Sequence, residues 1–268
     1  ITVQEFFLRY RHLAGMSGTA QGSAGELKRI YKLRTRQIPT NRPPIRKRLP
    51  TMIFGTAKAR WEAVVEEVRT QNAAGRPVLI GTRSIDQSER LSELLRAAGL
   101  QHDVLNAHHE AREAEIVAQA GERGRITVAT NMAGRGTDIR LGPGVHELRG
   151  LHVVITEMHE AARIDRQFIG RSGRQGDPGS YRFLLSLEDD LLQEAFGARR
   201  AEKWKRRGQA AGAAGSGKWA RHERLFHRAQ RQVERRRFRR RKQLLAYEKH
   251  RTQAALPLGL DPHLDLPG

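Results

Sequence analysis

Between residues 58 and 196, short continuous apolar runs alternate with stretches in which apolar positions recur every three or four residues. The runs Val78-Leu79-Ile80-Gly81-Thr82, Val104-Leu105-Asn106, Ile126-Thr127-Val128-Ala129-Thr130, 151–156 and 181–187 predict strands. They lack a polar alternation, which suits strands covered on both faces. Residues 58–71, 110–120, 161–169 and 189–196 carry helical spacing, and Ser84 is placed to cap another helix ending near Gly99. Strand and helix in regular alternation predict an α/β fold, a parallel sheet flanked by helices. In that architecture the turns after the C-terminal ends of the strands build the ligand site.

The flanks read differently. Residues 3–11 open as a helix, and 13–20 read as a short strand running into a small-residue turn. Four prolines within 38–50 predict an extended linker. Past Gly197 a Gly/Ala/Ser patch over 208–217 leads to a basic helix over 218–247. In it Trp219, Phe226, Ala229 and Val233 recur at spacings of 7, 3 and 4, one apolar stripe that wants a partner surface. The C-terminal end of the chain is expected to be disordered.

Charge sharpens this division. The net charge is +20, and residues 199–251 hold twenty Lys/Arg against four Asp/Glu, so +16 of it lies there. A nearly neutral core with a basic tail suits an anionic partner. No cysteine is present, which excludes disulfides and thiolate zinc sites and fits a cytosolic setting. No apolar run reaches the roughly 18 residues of a membrane span. The chain opens at Ile1, not Met, and is expected to continue a longer protein.

Two motifs carry chemistry. The first is Gly134-Arg135-Gly136-Thr137-Asp138, directly after an apolar run. Its glycines allow a tight turn and close approach of a phosphate. Arg135 offers a planar fork to phosphate oxygens, and Asp138 can accept from a ribose hydroxyl or hold an arginine. The second is Gln167-x-x-Gly170-Arg171-x-Gly173-Arg174-Gln175. Arg171 and Arg174, three apart on an expected helix, would share a face with Gln167 one turn earlier. Such a set suits charge on a transferring phosphoryl group, the arginine-finger role. The alternatives are a solvated loop with an internal Arg–Asp pair and an exposed basic turn. The string Gly212-Ala213-Ala214-Gly215-Ser216-Gly217-Lys218 imitates a phosphate loop, but Trp219 stands where Ser or Thr must hold magnesium, and no apolar strand precedes it. His108-His109-Glu110 and His159-Glu160 lack a second histidine at metal spacing, and no metal site is expected.

With Thr82-Arg83-Ser84-Ile85, the Thr130–Asp138 run, Gly150-Leu151-His152-Val153, Arg163-Ile164-Asp165, Gly170–Asp177 and Ser186-Leu187-Glu188-Asp189-Asp190-Leu191, the chain resembles SecA, the ATPase motor family of bacterial protein export. Thr40-Asn41-Arg42-Pro43 resembles the family's link into its second nucleotide-binding domain, and Arg241-Lys242-Gln243-Leu244-Leu245-Ala246-Tyr247 resembles the opening of its helical scaffold. The resemblance implies a RecA-like, superfamily-2 second lobe over 51–197. Residues 1–50 would then be the remnant of the first nucleotide-binding domain and the linker, and 198–268 a basic linker and the start of the scaffold. It implies ATP contacts from Gly134, Arg135, Gly136, Thr137, Asp138 and Gln175, and catalytic roles for Gln167, Arg171 and Arg174. Arg163 would couple this domain to the preprotein-binding clamp. ATP with Mg2+ is the implied cofactor, with the Mg2+ ligands, phosphate loop and acidic box on the first lobe. The chain alone is therefore expected to be inactive. Implied partners are that first lobe, preprotein, a SecYEG-type channel and anionic lipid, at the cytoplasmic face of the plasma membrane. Arg149, Met158 and Ala161 depart from the glycine, arginine and serine usual in the family. A superfamily-2 nucleic-acid helicase lobe is the alternative, disfavoured by 6% aromatics and no aromatic platform in the tail, so nucleic acid is not an expected partner. An ATPase-dead regulatory module is a second alternative.

Overall fold

The structure, a computed structural model, describes residues 2–105, 113–130, 137–211 and 219–255. It divides into two compact units, Thr40–Arg231 and Ile1–Pro39 with Gln232–Gly268.

Among the described residues the larger unit holds seven strands, all paired in parallel: β1 (Lys47–Arg48), β2 (Met52–Phe54), β3 (Val78–Thr82), β4 (Asp103–Leu105), β5 (Ile126–Thr130), β6 (Leu151–Ile155) and β7 (Gly179–Ser186). The order is β1-β7-β6-β3-β5-β4, with β2 also on β7. Strands β3, β5 and β6 are buried along their whole length, as their unbroken apolar runs require. Helices α3 (Ala57–Ala73), α4 (Ile85–Ala97), α5 (Glu113–Gln119), α6 (Ala162–Ile169), α7 (Asp190–Phe196) and α8 (Ala198–Ala210) flank this sheet. The hydroxyl oxygens of Thr56 and Ser84 cap α3 and α4 by accepting from the Ala59 and Gln87 amides. Trp61, Val64 and Val68 of α3 and Leu91 and Leu95 of α4 pack with Val78, Ile80, Ile126 and Val128 in one core. Helix α6 lies close to the sheet because Gly81 has no side chain: a Cβ there would stand 2.6 Å from the Phe168 ring.

Three local expectations change. Residues 13–20 form no strand, since they have no strand neighbour to satisfy their backbone groups, and Met16 is fully exposed. Instead a 3-10 turn at Ala20–Ser23 leads into α2 (Ala24–Tyr31), which ends on left-handed Lys32. The proline-rich linker does enter the sheet: β1 and β2 extend the free side of β7, separated by Pro50, which has no amide to donate. The start of the expected Gly/Ala/Ser patch belongs to α8, where Gly208 presses against Gly55 so closely that a Cβ on either would clash with the other's backbone. The expected disordered end, residues 256–268, lies outside the described residues, as do Asn106, His108, His109 and Glu110.

The basic helix is α9 (Glu223–Ala255). Within the larger unit its first turns are docked. Trp219, Phe226 and Ala229 are buried, and the Gln230 side-chain amide donates to the His159 carbonyl at 2.8 Å and to the Asp165 carboxylate at 2.6 Å. In the smaller unit α1 (Val3–Leu8) is capped by Thr2, and Arg241 grips both oxygens of Glu26 of α2 at 2.7 and 2.9 Å. Among the described residues no helix is long and apolar enough to cross a membrane.

Candidate nucleotide-facing site

Two connections meet to form the site. The first runs from β5 to β6 and has no described helix; its residues 131–136, with Gly134, Arg135 and Gly136, lie outside the described residues. Thr137 and Asp138 are described and half-buried. From there the chain descends to the N-terminal side of the sheet, where the Gly142 amide donates to the Gly121 carbonyl. The second connection runs from α6 to β7. Because α6 returns antiparallel to the strands, its C-terminal turn also arrives at the N-terminal side. One motif thus follows the C-terminal end of β5, and the other begins on the helix that follows β6, as the sequence pattern implied, and continues into the turn before β7.

The second motif is not helical throughout. Helix α6 stops at Ile169; the Arg171 and Ser172 amides tighten onto the Phe168 and Ile169 carbonyls, and Gly173 takes φ +63. Gly173, Gln175 and Gly176 are all left-handed, with φ of +63, +52 and +86. A helix cannot pass through such residues, so Arg171 and Arg174 do not share a helix face, which corrects that expectation. Arg171 is buried, its guanidinium 5.6 Å from the Phe168 ring. Arg174 is half-exposed. Its Nη1 donates to Asp138 Oδ1 at 2.6 Å, and its Nε donates to the Gly170 carbonyl at 2.9 Å. Gln167 lies half-buried on α6.

Asp138, Arg174 and Gln175 thus line one cleft of about 380 Å³, together with Leu141, His146 and Asp177. The geometry brings together the ends of both motifs, and the buried Arg171 does not line the cleft. Of Asp138's two anticipated roles, the structure realises the one of holding an arginine. The pair is about one-third exposed on both sides, and ion pairs this wet are worth about 0–1 kcal/mol, so Arg174 can leave Asp138 for another anion at little cost.

The sequence reading missed what holds the turn. The Ser172 hydroxyl donates to the Leu151 carbonyl of β6 at 2.8 Å, and Arg46 and Arg42 of the linker donate to the Ser172 and Gln175 carbonyls. The prolines after Arg42 and the resemblance of Thr40–Pro43 to a family link marked that segment, and both signalled an extended connection, not a contact. The other arginines of the linker region and of β3's turn are occupied elsewhere: Arg48 with Glu223, and Arg83 with Glu160 at 2.5 Å.

A buried charge cluster lies further along the sheet. Arg60 donates to Asp189 Oδ1 at 2.6 Å and to the Thr156 carbonyl, with Glu157 at 3.4 Å. Complete burial pushes the Asp189 carboxyl up to about 7; Arg60 opposes this and Glu157 adds to it.

Comparison with known proteins assigns the architecture. The SecA P-loop domain model matches residues 43–147 and 143–211, and the SecA DEAD-like domain model matches residues 1–28. The imitation phosphate loop at 212–218 stands past the matched residues and outside the described ones. Protein translocase subunit SecA 2 of Rhodopirellula baltica is 57% identical over 267 residues, covering 100% of this chain and 40% of that protein. Protein translocase subunit SecA of Nitratidesulfovibrio vulgaris is 56% identical over 200 residues, 75% of this chain and 24% of that protein. That of Solidesulfovibrio magneticus is 49% identical over 249 residues, 92% of this chain and 29% of that protein. The chain therefore spans less than half the length of these relatives. With the two domain models matched in chain order and the α/β sheet falling inside the longer match, this chain belongs to the SecA family.

Proposed function

We propose that this chain supplies the second nucleotide-facing lobe of an ATP-driven preprotein translocase. Residues 1–50 would close the first nucleotide-binding domain and form the linker, 51–197 the second domain, and 198–268 the basic linker and start of the scaffold. The observation that carries this reading is the Arg174–Asp138 pair, which joins the two motifs across one cleft. An arginine parked on a half-exposed carboxylate is charged, oriented and cheaply released, as a group that meets phosphate oxygens must be. ATP would supply the transferable phosphoryl group, and Mg2+, held by ligands on the first lobe, would neutralise charge developing on it. Asp138 and Thr137, with Gly134, Arg135 and Gly136 before them and Gln175 opposite, would face the nucleotide. Arg174 would meet developing phosphate charge, with Arg171 and Gln167 supporting the turn and helix behind it. The matching partners are the first lobe, preprotein and a SecYEG-type channel. The +16 stretch over 199–251 favours anionic lipid as well, at the cytoplasmic face of the plasma membrane.

The test is Arg174→Ala in the full-length parent protein. ATP turnover should fall on the order of 10³-fold in kcat while ATP affinity changes little, the signature of a group acting on transition-state charge. A variant that binds ATP poorly yet keeps its kcat would assign Arg174 to ground-state binding instead.

A further inference from the structure

The turn that carries Arg174 holds three left-handed residues out of four, one of them the non-glycine Gln175. Glycine takes such backbone freely, but left-handed Gln175 persists only where its surroundings impose it. The surroundings here include two side chains from the linker. Arg46 Nη1 donates to the Ser172 carbonyl at 2.5 Å, and its Cβ lies where a side chain on Gly173 would have to go, 2.7 Å from that position. Arg42 Nη1 donates to the Gln175 carbonyl at 3.5 Å, and its Cδ fills the space beside Gly176, 2.9 Å from where a Cβ would stand. Both turn glycines are thus open on the side from which a linker arginine packs. Arg46 is fixed in its turn. Its guanidinium lies 5.9 Å from the Tyr181 ring, and residues Lys47 and Arg48 immediately after it pair with Ser180 and Tyr181 at the start of β7.

We infer that Arg46, seconded by Arg42, is a positioning residue for the arginine turn, so that the linker segment 42–46 sets where Arg174 points. The inference rests on the proposed function for its catalytic consequence, not for its structural one. Ser172 anchors the turn to β6, which fixes its base; the two linker arginines hold the carbonyls on either side of Arg174 and so fix its tip. Removing them leaves the sheet intact and the finger loose.

The full-length parent protein tests this with Arg46→Ala, Arg42→Ala and, as control, Arg48→Ala, whose wild-type side chain reaches Thr51 and Glu223 instead of the turn. Amide hydrogen exchange over 170–178 should rise several-fold in the first two variants, stay unchanged in the third, and stay unchanged over 151–155 in all. In steady-state turnover Arg46→Ala should lower kcat by about 10-fold with KM for ATP within about two-fold, since a misplaced group costs rate more than binding. In an Arg174→Ala background it should cost nothing more, because the two act through one turn. Native exchange over 170–178 in Arg46→Ala, or a kcat loss that adds in full to that of Arg174→Ala, overturns the inference. Should Arg46→Ala not fold, the more exposed Arg42→Ala is read by the same exchange criterion. If Arg174→Ala keeps its kcat, the finger reading falls, and the exchange data still decide whether the linker braces the turn.

Discussion

At the scale of single residues, this chain spends its buried charge in two ways. Glu67 sits between His152 and Arg182: burial works against its charge, but the His152 hydrogen bond and the Arg182 guanidinium hold its carboxyl below the usual range. Asp189 goes the other way. Its burial outweighs Arg60, and Glu157 nearby adds a second negative charge, so its carboxyl rises from 3.8 to about 7. The linkage follows from the sign. A carboxyl that binds its proton more tightly when folded costs stability as pH climbs from about 4 to about 7, and costs nothing further above that. Asp189→Asn removes the ionisation and keeps one acceptor for Arg60, at the loss of the bond from the Ser186 amide. Thermal unfolding between pH 5 and pH 8 should show the wild type's advantage over Asp189→Asn shrinking as pH rises. A difference that stays flat across that range would mean that Asp189 remains ionised throughout.

At the scale of elements, what was legible in the sequence and what was not separate along one physical line. Strands β3, β5 and β6 and helices α3 and α4 follow from local patterns, because continuous apolar runs and capped amphipathic stretches encode their own burial. Strands β1 and β2 could not be read, since Lys47-Arg48 and Met52-Ile53-Phe54 become strands only through the free side of β7. The same holds for α8, whose Gly208 looks like a linker residue until Gly55 is found against it. The two site motifs were legible as strings, but their meeting at the N-terminal side of the sheet depends on the direction in which α6 returns. Helix α6 also carries one of the departures from the pattern that the resemblance leads one to expect. Its N-cap is Ala161, with extended φ and ψ of −138 and 126 and no side-chain hydrogen bond to the first turn, at the position where the resemblance leads one to expect serine. Ala161→Ser should restore the cap and stabilise the protein by about 1 kcal/mol in denaturant unfolding. No gain would mean that Asp165, which already accepts from the His159 amide and holds Gln230, does the work of the cap.

At the scale of the whole molecule, the distribution of charge separates residues 40–198, nearly neutral, from a stretch bearing +16 over residues 199–251. The apolar stripe expected along the basic helix is not available to a membrane, because Trp219, Phe226 and Ala229 are buried. What α9 presents to water is basic: Arg235, Arg237, Arg239 and Arg240 are all exposed. A surface of this kind can bind an anionic bilayer by charge alone. Each Lys or Arg near such a bilayer contributes about 1 kcal/mol, and the attraction dies away beyond a Debye length, about 8 Å at physiological salt. The expected result is sharp on both counts. In flotation assays the chain should rise with vesicles containing anionic lipid and stay behind with neutral ones, and raising the salt should release most of it, since Trp219, Phe226 and Ala229 are buried and the exposed Leu244 and Tyr247 of α9 are few beside its arginines. Salt-resistant recovery on anionic vesicles would show that apolar side chains, the exposed Leu244 and Tyr247 or an undocked stripe, enter the bilayer. Equal recovery on both kinds of vesicle would remove lipid from the set of partners. Comparable, equally salt-sensitive affinity for single-stranded RNA would make the tail a general polyanion surface, and would return the nucleic-acid helicase reading to consideration.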